Sequence, residues 1–372
     1  MRNRLMYFIH TISYRLKIYR PFLYLYKNRT NLLFAESYYP EISTRKSVYR
    51  ILCDQIYNIM KYGWPNEFYY LYGLDRKGFR SAREFVDYTL FYRRREYLNH
   101  LQEENDIPIL RDKLQFGMFA EKNRIPTPKN LGLFDKCGFH DIQKNQLIEY
   151  DRCPVFGEDG IFFLKPLEGE CGRGVFKLEI SDNIILLNGI KTEVRDLRDI
   201  LNGGVYLAQR SILNQHHLLE SIFEKSLNTI RLVTVYNKVV QKVLPLSAVL
   251  RVGVGDNHVD NWAAGGLSIG IDLKNGKLKK YGFYKPGKGT KTAFHPNSNL
   301  FFEDYLLPYW QEILNSAIKF HEKLRGLHSI GWDVAITENG PVFIEGNDNW
   351  ELSLMQACNG GLNNTFEDFF SK

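Results

Sequence analysis

Apolar and polar positions follow three different rhythms along this chain. Up to about residue 105 the apolar residues are mostly Tyr, Phe and Leu, set at helical intervals among Arg and Lys. The stretch SAREFVDYTLFYRRREYLNHLQEEN, from Ser81, puts Phe85, Tyr88, Phe91 and Tyr92 on one face, which predicts a mainly helical first third. From Asp106 the helix in DKLQFGMFAEKNRIPTPKN is short, because Pro126 and Pro128 drive the residues before them out of helical geometry. Next come GIFFLKP, VFKLEIS, IILLNG and GVYLAQRSI, apolar runs cut by Gly, Asn and Asp, which predict a small strand-rich unit. The last third adds NTIRLVTVYN, VVQKVLPLSAVLRV and LSIGIDLKNGKLKKYGFY as strands, and one amphipathic helix. That helix opens near Pro308, lines up Trp310, Ile313, Leu314, Ala317, Ile318 and Leu324, and closes at Gly326. The expected division is 1–105 (helical and basic), 106–150 (linking), 151–212 (small, strand-rich) and 213–372 (C-terminal).

With 44% hydrophobic and 24% charged residues, the 372-residue chain reads as soluble and globular, with material for two or three domains. Charge changes the picture only at one end. Arg2, Arg4, Arg15, Lys17, Arg20, Lys27 and Arg29 all precede the first acid, Glu36, and leave 42 basic and 42 acidic residues behind them. A general nucleic-acid surface is therefore not expected, and any electrostatic partner belongs to the N-terminal arm. The longest uncharged stretch of that arm, Leu5 to Tyr14, falls short of the roughly 20 apolar residues that span a bilayer, and no small-residue cleavage site follows it. Two readings of residues 1–30 stand side by side: contact with an anionic membrane surface from the cytoplasmic side, or a basic helix packed on the protein by its aromatic face. Cys53, Cys137, Cys153, Cys171 and Cys358 are scattered, with no CxxC pair, as expected of reduced thiols in a cytoplasmic protein.

Two stretches carry chemistry. In GWDVAITENGPVFIEGN, Gly331 to Asn347, a three-residue Glu338-Asn339-Gly340 loop pairs Thr337 with Pro341 and hence Asp333 with Glu345. Asn347 then points to the same face. Opposed carboxylates destabilise an antiparallel pair unless a cation lies between them, and two carboxylates with an amide oxygen suit Mg²⁺. A two-residue loop would slip the register by one and send the carboxylates to opposite faces. In FFLKPLEGECGRGVFKLE, Lys165 ends an apolar strand and Pro166 fixes its exit. Gly169, Gly172 and Gly174 then form a loop whose bare amides can approach phosphate oxygens, with Arg173 as a nearby cation.

In this order, Lys-Pro, Gly loop and acid-x-Asn hairpin, the chain resembles the ATP-grasp ligases from about Asp106 to its end. The phrases LNTIRLVTV, GWDVAIT and VFIEGN look most like the sugar-transfer-associated branch found with surface-polysaccharide genes. The resemblance implies an α+β ATP-grasp fold, two subdomains gripping ATP, behind the helical region. It implies ATP lysines at Lys113 and Lys165, a phosphate lid from Gly169 through Gly172 and Arg173 to Gly174, nucleotide contacts around Gln209 and Arg210, and a metal set of Asp333, Glu345 and Asn347. Many relatives carry an Arg just before the metal Asp. Here Gly331-Trp332 stands there, and Arg231, on NTIRLVTV, is the candidate for the missing positive charge. The implied chemistry is phosphorylation of a carboxylate by ATP and attack of an amine on the acyl phosphate, with ADP and an amide as products.

Weaker signals surround this core. VDNWAAGGLSIGID offers Asn261, Gly265 and Gly266, and AFHP offers His295, as acceptor-side contacts, against the plainer readings of a Gly-Gly turn and a structural His. His216 and His217, adjacent, are expected to diverge and are assigned no metal. GFYKPGKG, through Lys288, mimics a P-loop but has Gly289 where Ser or Thr would hold Mg²⁺. Two other readings keep the fold: a kinase acting on a hydroxyl, and a non-catalytic membrane-peripheral scaffold of a glycan-assembly complex.

Overall fold

The computed structural model describes residues 19–100, 105–167, 174–201, 204–212, 214–256 and 260–370. The N-terminal region is helical, as its spacing predicts, with α1 over Val48–Tyr62 and α2 over Tyr88–His100. The helix starts later than the apolar face suggests. Asp87 accepts from Thr89 N (2.9 Å) and Leu90 N (3.2 Å), so the chain turns into the helix there and Phe85 is buried before it. No helix among the described residues is long and apolar enough to cross a membrane.

After α3 (Lys113–Lys122), capped by Asp112, the chain builds an eight-stranded antiparallel sheet. Its strands are β1 (Asn130–Asp135), β2 (Gly138–Asp141), β3 (Gln146–Ile148), β4 (Gly160–Pro166), β5 (Phe176–Ser181), β6 (Ile184–Leu187), β7 (Ile190–Lys191) and β8 (Tyr206–Arg210). The order is β3-β2-β1-β8-β4-β5-β6-β7. The expected boundary at residue 150 thus falls inside one sheet, because β8 returns between β1 and β4.

The C-terminal part is a seven-stranded sheet, order β13-β12-β11-β10-β9-β14-β15. It comprises β9 (Thr229–Asn237), β10 (Lys242–Val252), β11 (Leu267–Ile271), β12 (Leu278–Phe283), β13 (Lys291–Thr292), β14 (Ser329–Thr337) and β15 (Gly340–Asn347). GFYKPGKG is therefore a turn between two strands, not the strand-to-helix loop a P-loop needs. Strand alternation sorts the faces. Ile230, Leu232, Leu250, Trp332 and Val334 face α4 (Trp310–His321), whose Trp310, Ile313, Leu314, Ala317 and Phe320 are buried on that side. Val233, Val235 and Val249 face the opposite core, shared with the N-terminal region, α5 (Leu352–Asn359) and α6 (Asn363–Phe370). Arg231, Arg251 and Asp333, each odd-stepped from the first set, fall on this second face.

The hairpin of β14 and β15 reaches the expected pairing by a different route. Its loop is the shorter one: Thr337 pairs with Gly340 and Ile336 with Pro341. The register then shifts between Val334–Phe343 and Asp333–Glu345, so Ile344 is the extra residue of a bulge. The bulge restores what the tight loop would have cost, and the two acids stand opposite one another.

Gly331 is required by close approach. A Cβ there would lie 2.5 Å from Trp350 Cβ, and Trp350 is itself fully buried against Phe91 of α2. Gly331→Ala is expected to cost about 1–3 kcal/mol by forcing Trp350 aside. The check is the urea midpoint, and an unchanged midpoint would show that this contact does not constrain the hairpin.

Candidate active site

Four strands contribute one row of charge. Glu345 on β15 is opposite Asp333 on β14, and Asp333 is opposite Arg231 on β9. Arg231 in turn faces Val249 on β10, with Arg251 two residues further along the same face. Arg231 holds Asp333 with two parallel hydrogen bonds, from Nε to Oδ1 and from a terminal nitrogen to Oδ2 (2.9 Å). Arg251 adds an ion pair to Oδ2 at 3.0 Å. Burial alone would raise the Asp333 carboxyl, but Arg231 and Arg251 beside it hold it down at about 2. For Arg251, burial opposes its charge and Asp333, then Asp260, more than reverse the effect, so it stays firmly protonated.

Glu345 lacks this compensation. Burial, and then the Asp333 charge opposite it, raise its carboxyl above the ordinary value. Asn347 Nδ2 donates to Glu345 Oε1 at 3.2 Å and to Gly331 O at 3.4 Å, and its Oδ1 has no partner among the described residues. The cations at the opposed acids are thus arginines in contact with Asp333, while among the described residues no cation forms an ion pair with Glu345. A carboxylate short of a counter-ion beside a free amide oxygen suits a hard divalent cation.

The eight-stranded sheet brings its lysine to the same place. Lys165 Nζ donates to Gln209 Oε1 at 2.7 Å, and Gln209 Nε2 donates to Asn130 Oδ1 at 2.9 Å. Lys113, at the start of α3, points its amine at Leu167 O (3.4 Å), the residue after the Lys-Pro exit. Burial lowers both lysines, and Glu345 is the first charge that opposes the effect in each. Lys113, Lys165 and Glu345 therefore share one field. Gly174 sits at φ +72° with Pro166 Cγ 3.2 Å from where a Cβ would be, so the chain approaches β5 through a position only Gly fills easily. Gly169, Gly172 and Arg173 lie outside the described residues.

Other expected residues have different tasks. Gln209, 7% exposed, accepts from Lys165 and so orients it. Arg210 pairs with Glu158 and lies over the Phe162 ring, away from Lys165. Asn261 caps the Trp262–Ala264 turn through Ala263 N (2.9 Å), and Gly265 (φ +105°) and Gly266 close it. That turn delivers Asp260, which accepts from Thr229 N (3.1 Å) and lies 3.6 Å from Arg251. His295 is fully buried, with Nε2 on Gly253 O (2.7 Å) and Nδ1 accepting from Asn297 N (3.3 Å), contacts that fit the plainer structural reading. His216 and His217 do not diverge. They sit at a helix cap rather than inside a regular element, their rings stack at 4.4 Å, and His217 Nδ1 meets Glu338 at 2.9 Å.

Arg251 and Asp260 were not anticipated from sequence, although a lone Arg in the apolar run PLSAVLRV was a signal that an acid had to meet it.

Two sheets that bring lysines and an acid-rich hairpin together define the ATP-grasp ligase architecture. The chain belongs to the sugar-transfer associated ATP-grasp family, whose model matches residues 92–368. No curated protein matches it. Among solved structures it is similar to N5-carboxyaminoimidazole ribonucleotide synthetase from Thermotoga maritima, at 14% identity and TM-score 0.36, over 73% of this chain and 50% of that one. It is also similar to D-alanine–D-alanine ligase from Bacillus anthracis, at 12% identity and TM-score 0.39, over 74% of this chain and 71% of that one. A third is N5-carboxyaminoimidazole synthase from Aspergillus clavatus, in complex with ADP and its ribonucleotide, at 13% identity and TM-score 0.40, over 76% and 58%. The chain spans half the length of the first.

Because the folded Asp333 carboxyl is depressed, its ion pairs contribute stability above the ordinary carboxylate value, about 4, and lose it as pH falls toward about 2. Arg251→Met is expected to cost about 3–5 kcal/mol at neutral pH by leaving Asp260 without an arginine and Asp333 with Arg231 alone. Its acid-unfolding midpoint should also move to higher pH. Circular dichroism across a pH series checks both, and superimposable acid transitions would remove Arg251 from the network.

Proposed function

We propose that the chain is an ATP- and Mg²⁺-dependent carboxylate-amine ligase. Its substrates on this reading are a sugar carboxylate, a uronic acid either free or lipid-linked, and an amine such as an amino acid, joined during surface-polysaccharide assembly at the cytoplasmic face of a membrane. The observation that carries the ligase half is the convergence of Lys113, Lys165, Arg231 and Arg251 on one side of Glu345 and Asn347. The sugar and the polysaccharide role are supported by the family's association alone.

Each residue has a physical task in such a reaction. Lys165, fixed by Gln209, and Lys113 neutralise phosphate oxygens, and desolvation strengthens that attraction. Glu345 and Asn347, with Asp333, would hold the metal, which when bound screens the charge of the transferring phosphoryl group. Arg231 spends Nε and one terminal nitrogen on Asp333. The other terminal nitrogen has no partner among the described residues and is free for a phosphoryl or carboxylate oxygen. Asp333, paired at both oxygens, locks Arg231 in place as much as it serves a metal. The lid, by covering the site, would keep water from an acyl phosphate.

Glu345→Gln is expected to lower magnesium-dependent ADP formation about 10²–10³-fold with the fold intact. Lys165→Ala should weaken ATP binding roughly tenfold to a hundredfold, the equivalent of about 1.5–3 kcal/mol for a charged hydrogen bond. The assay presents ATP, Mg²⁺, a panel of uronates and amines, and hydroxylamine as a trap. A ligase makes ADP only with the carboxylate and gives a hydroxamate with the trap. ADP that instead follows a hydroxyl compound, with a stable phosphate ester as product, would make the protein a kinase. Magnesium-independent ATP affinity, or none, would remove the site altogether.

A further inference from the structure

Helix α1 is apolar on two sides. Ile51, Gln55 and Ile59 are buried against the body of the protein, as a surface helix requires. The opposite face carries Tyr49, Cys53, Ile56, Tyr57 and Met60, which at 100° per residue share a stripe roughly 100° wide. Tyr49 is 77% exposed, Met60 74% and Tyr57 61%. Arg50 and Lys61, both exposed, flank this stripe along one edge, and Lys61 Nζ stands 5.8 Å over the Tyr57 ring. Large apolar side chains gathered on one outward face mark a contact surface.

The segment beside α1 has the same make-up. It packs along the helix, with Gln55 Nε2 donating to Leu32 O (3.4 Å) and Tyr24 meeting Trp64 at 4.8 Å just past the C-terminal end of α1. Its exposed residues include Tyr19, Tyr26 and Phe34 together with Arg20, Lys27 and Arg29. It continues directly from Arg2, Arg4, Arg15 and Lys17, which lie outside the described residues. Three occupants could cover such a face. A second copy would set like charges against each other, and residues 1–18, themselves cationic, would do the same. An anionic lipid surface matches both halves: tyrosines settle at the headgroup level, apolar side chains reach below it, and the cations meet lipid phosphates.

We infer that the outward face of α1, together with the basic segment beside it, docks this protein on an anionic bilayer. This site extends the described end of the N-terminal arm onto α1 and accompanies the ligase reading without depending on it. Docked this way, α1 lies in the headgroup plane and the two sheets stand on the cytoplasmic side, where a lipid-linked sugar would be presented.

The test uses the full chain in vesicle co-sedimentation, with phosphatidylcholine alone and with phosphatidylglycerol added. One variant carries Tyr49→Ser, Tyr57→Ser and Met60→Ser, and another carries Arg50→Glu and Lys61→Glu. All five positions are solvent-facing or rim residues of α1, and circular dichroism with magnesium-dependent ATP affinity shows that each variant keeps the parent's fold and nucleotide site. The parent should sediment only with the anionic vesicles, less at high salt, and each variant should partition about tenfold less. No sedimentation with phosphatidylglycerol, or equal sedimentation of parent and both variants, overturns the inference. A lipid-free dimer of the parent that the triple serine variant dissolves also overturns it, by giving the face to a second copy. An inactive ligase assay with intact vesicle binding would count against the proposed reaction and leave this surface standing.

Discussion

A carboxylate enclosed in a sheet keeps its charge only if cations touch it, and the grip of Arg231 and Arg251 on Asp333 is the contact around which the C-terminal half is arranged. It comes from three adjacent strands, so it holds only if β14, β9 and β10 keep their register. The register in turn depends on the large apolar residues of the other face, Trp332, Leu232 and Leu250, being buried against α4. A one-residue slip of β9 or β10 would bury an arginine where a leucine belongs, and a slip of β14 would put Asp333 in the place of Trp332. Charge and packing therefore enforce the same alignment. The outcome is a lopsided site, with cations in contact with Asp333 and only nearby at Glu345.

Gly331 leaves its place beside Asp333 without a cation, and Arg231 brings one from the next strand. Trp350 fills the space above Gly331 and leaves no room for a side chain, while Arg231 Cδ passes 3.4 Å from where its Cβ would be. The guanidinium reaches the site from the neighbouring strand instead. The N-terminal region supports this arrangement, because Arg95 of α2 donates to Trp350 O at 2.7 Å and Arg111 pairs with Asp348 at 2.7 Å. The segment that follows the hairpin is thus held by residues far away in sequence.

Much of the architecture is legible because its signals are local: apolar periods, Pro stops and turn residues name β4 to β6, β8 to β12, the β14–β15 hairpin, α3 and α4 within a few positions, while β1 to β3, β7, β13, α5 and α6 carry no such signal. The pairing of Asp333 with Glu345 was legible for a more general reason. Twelve residues separate them, and one spare residue gives the same facing pair whether it lengthens the loop or forms the bulge at Ile344. The geometry of the loop itself was read wrongly, since Glu338-Asn339-Gly340 serves either turn. Contacts between strands distant in sequence were harder. Nothing near Gln209 says that Asn130 and Lys165 will occupy both ends of its amide, and nothing near residue 150 says that β8 will return to join β1. His216 and His217 were misjudged because the divergence rule applies inside regular elements, and these two residues cap one.

That cap ties two distant parts of the chain together. The stretch from Asn214 to His217 joins the eight-stranded sheet to the seven-stranded one, and it is stitched to the tip of the β14–β15 hairpin. His216 N bonds Ile336 O (2.9 Å), Glu338 N bonds Asn214 O (3.1 Å), and both imidazoles gather on the Glu338 carboxylate. The same ribbon that bears Asp333 and Glu345 near its base thus holds, at its tip, the connection between the two sheets. The acids of the site and the link to the lysine-bearing sheet therefore hang on one two-stranded element, so a change in its register would be felt at both ends.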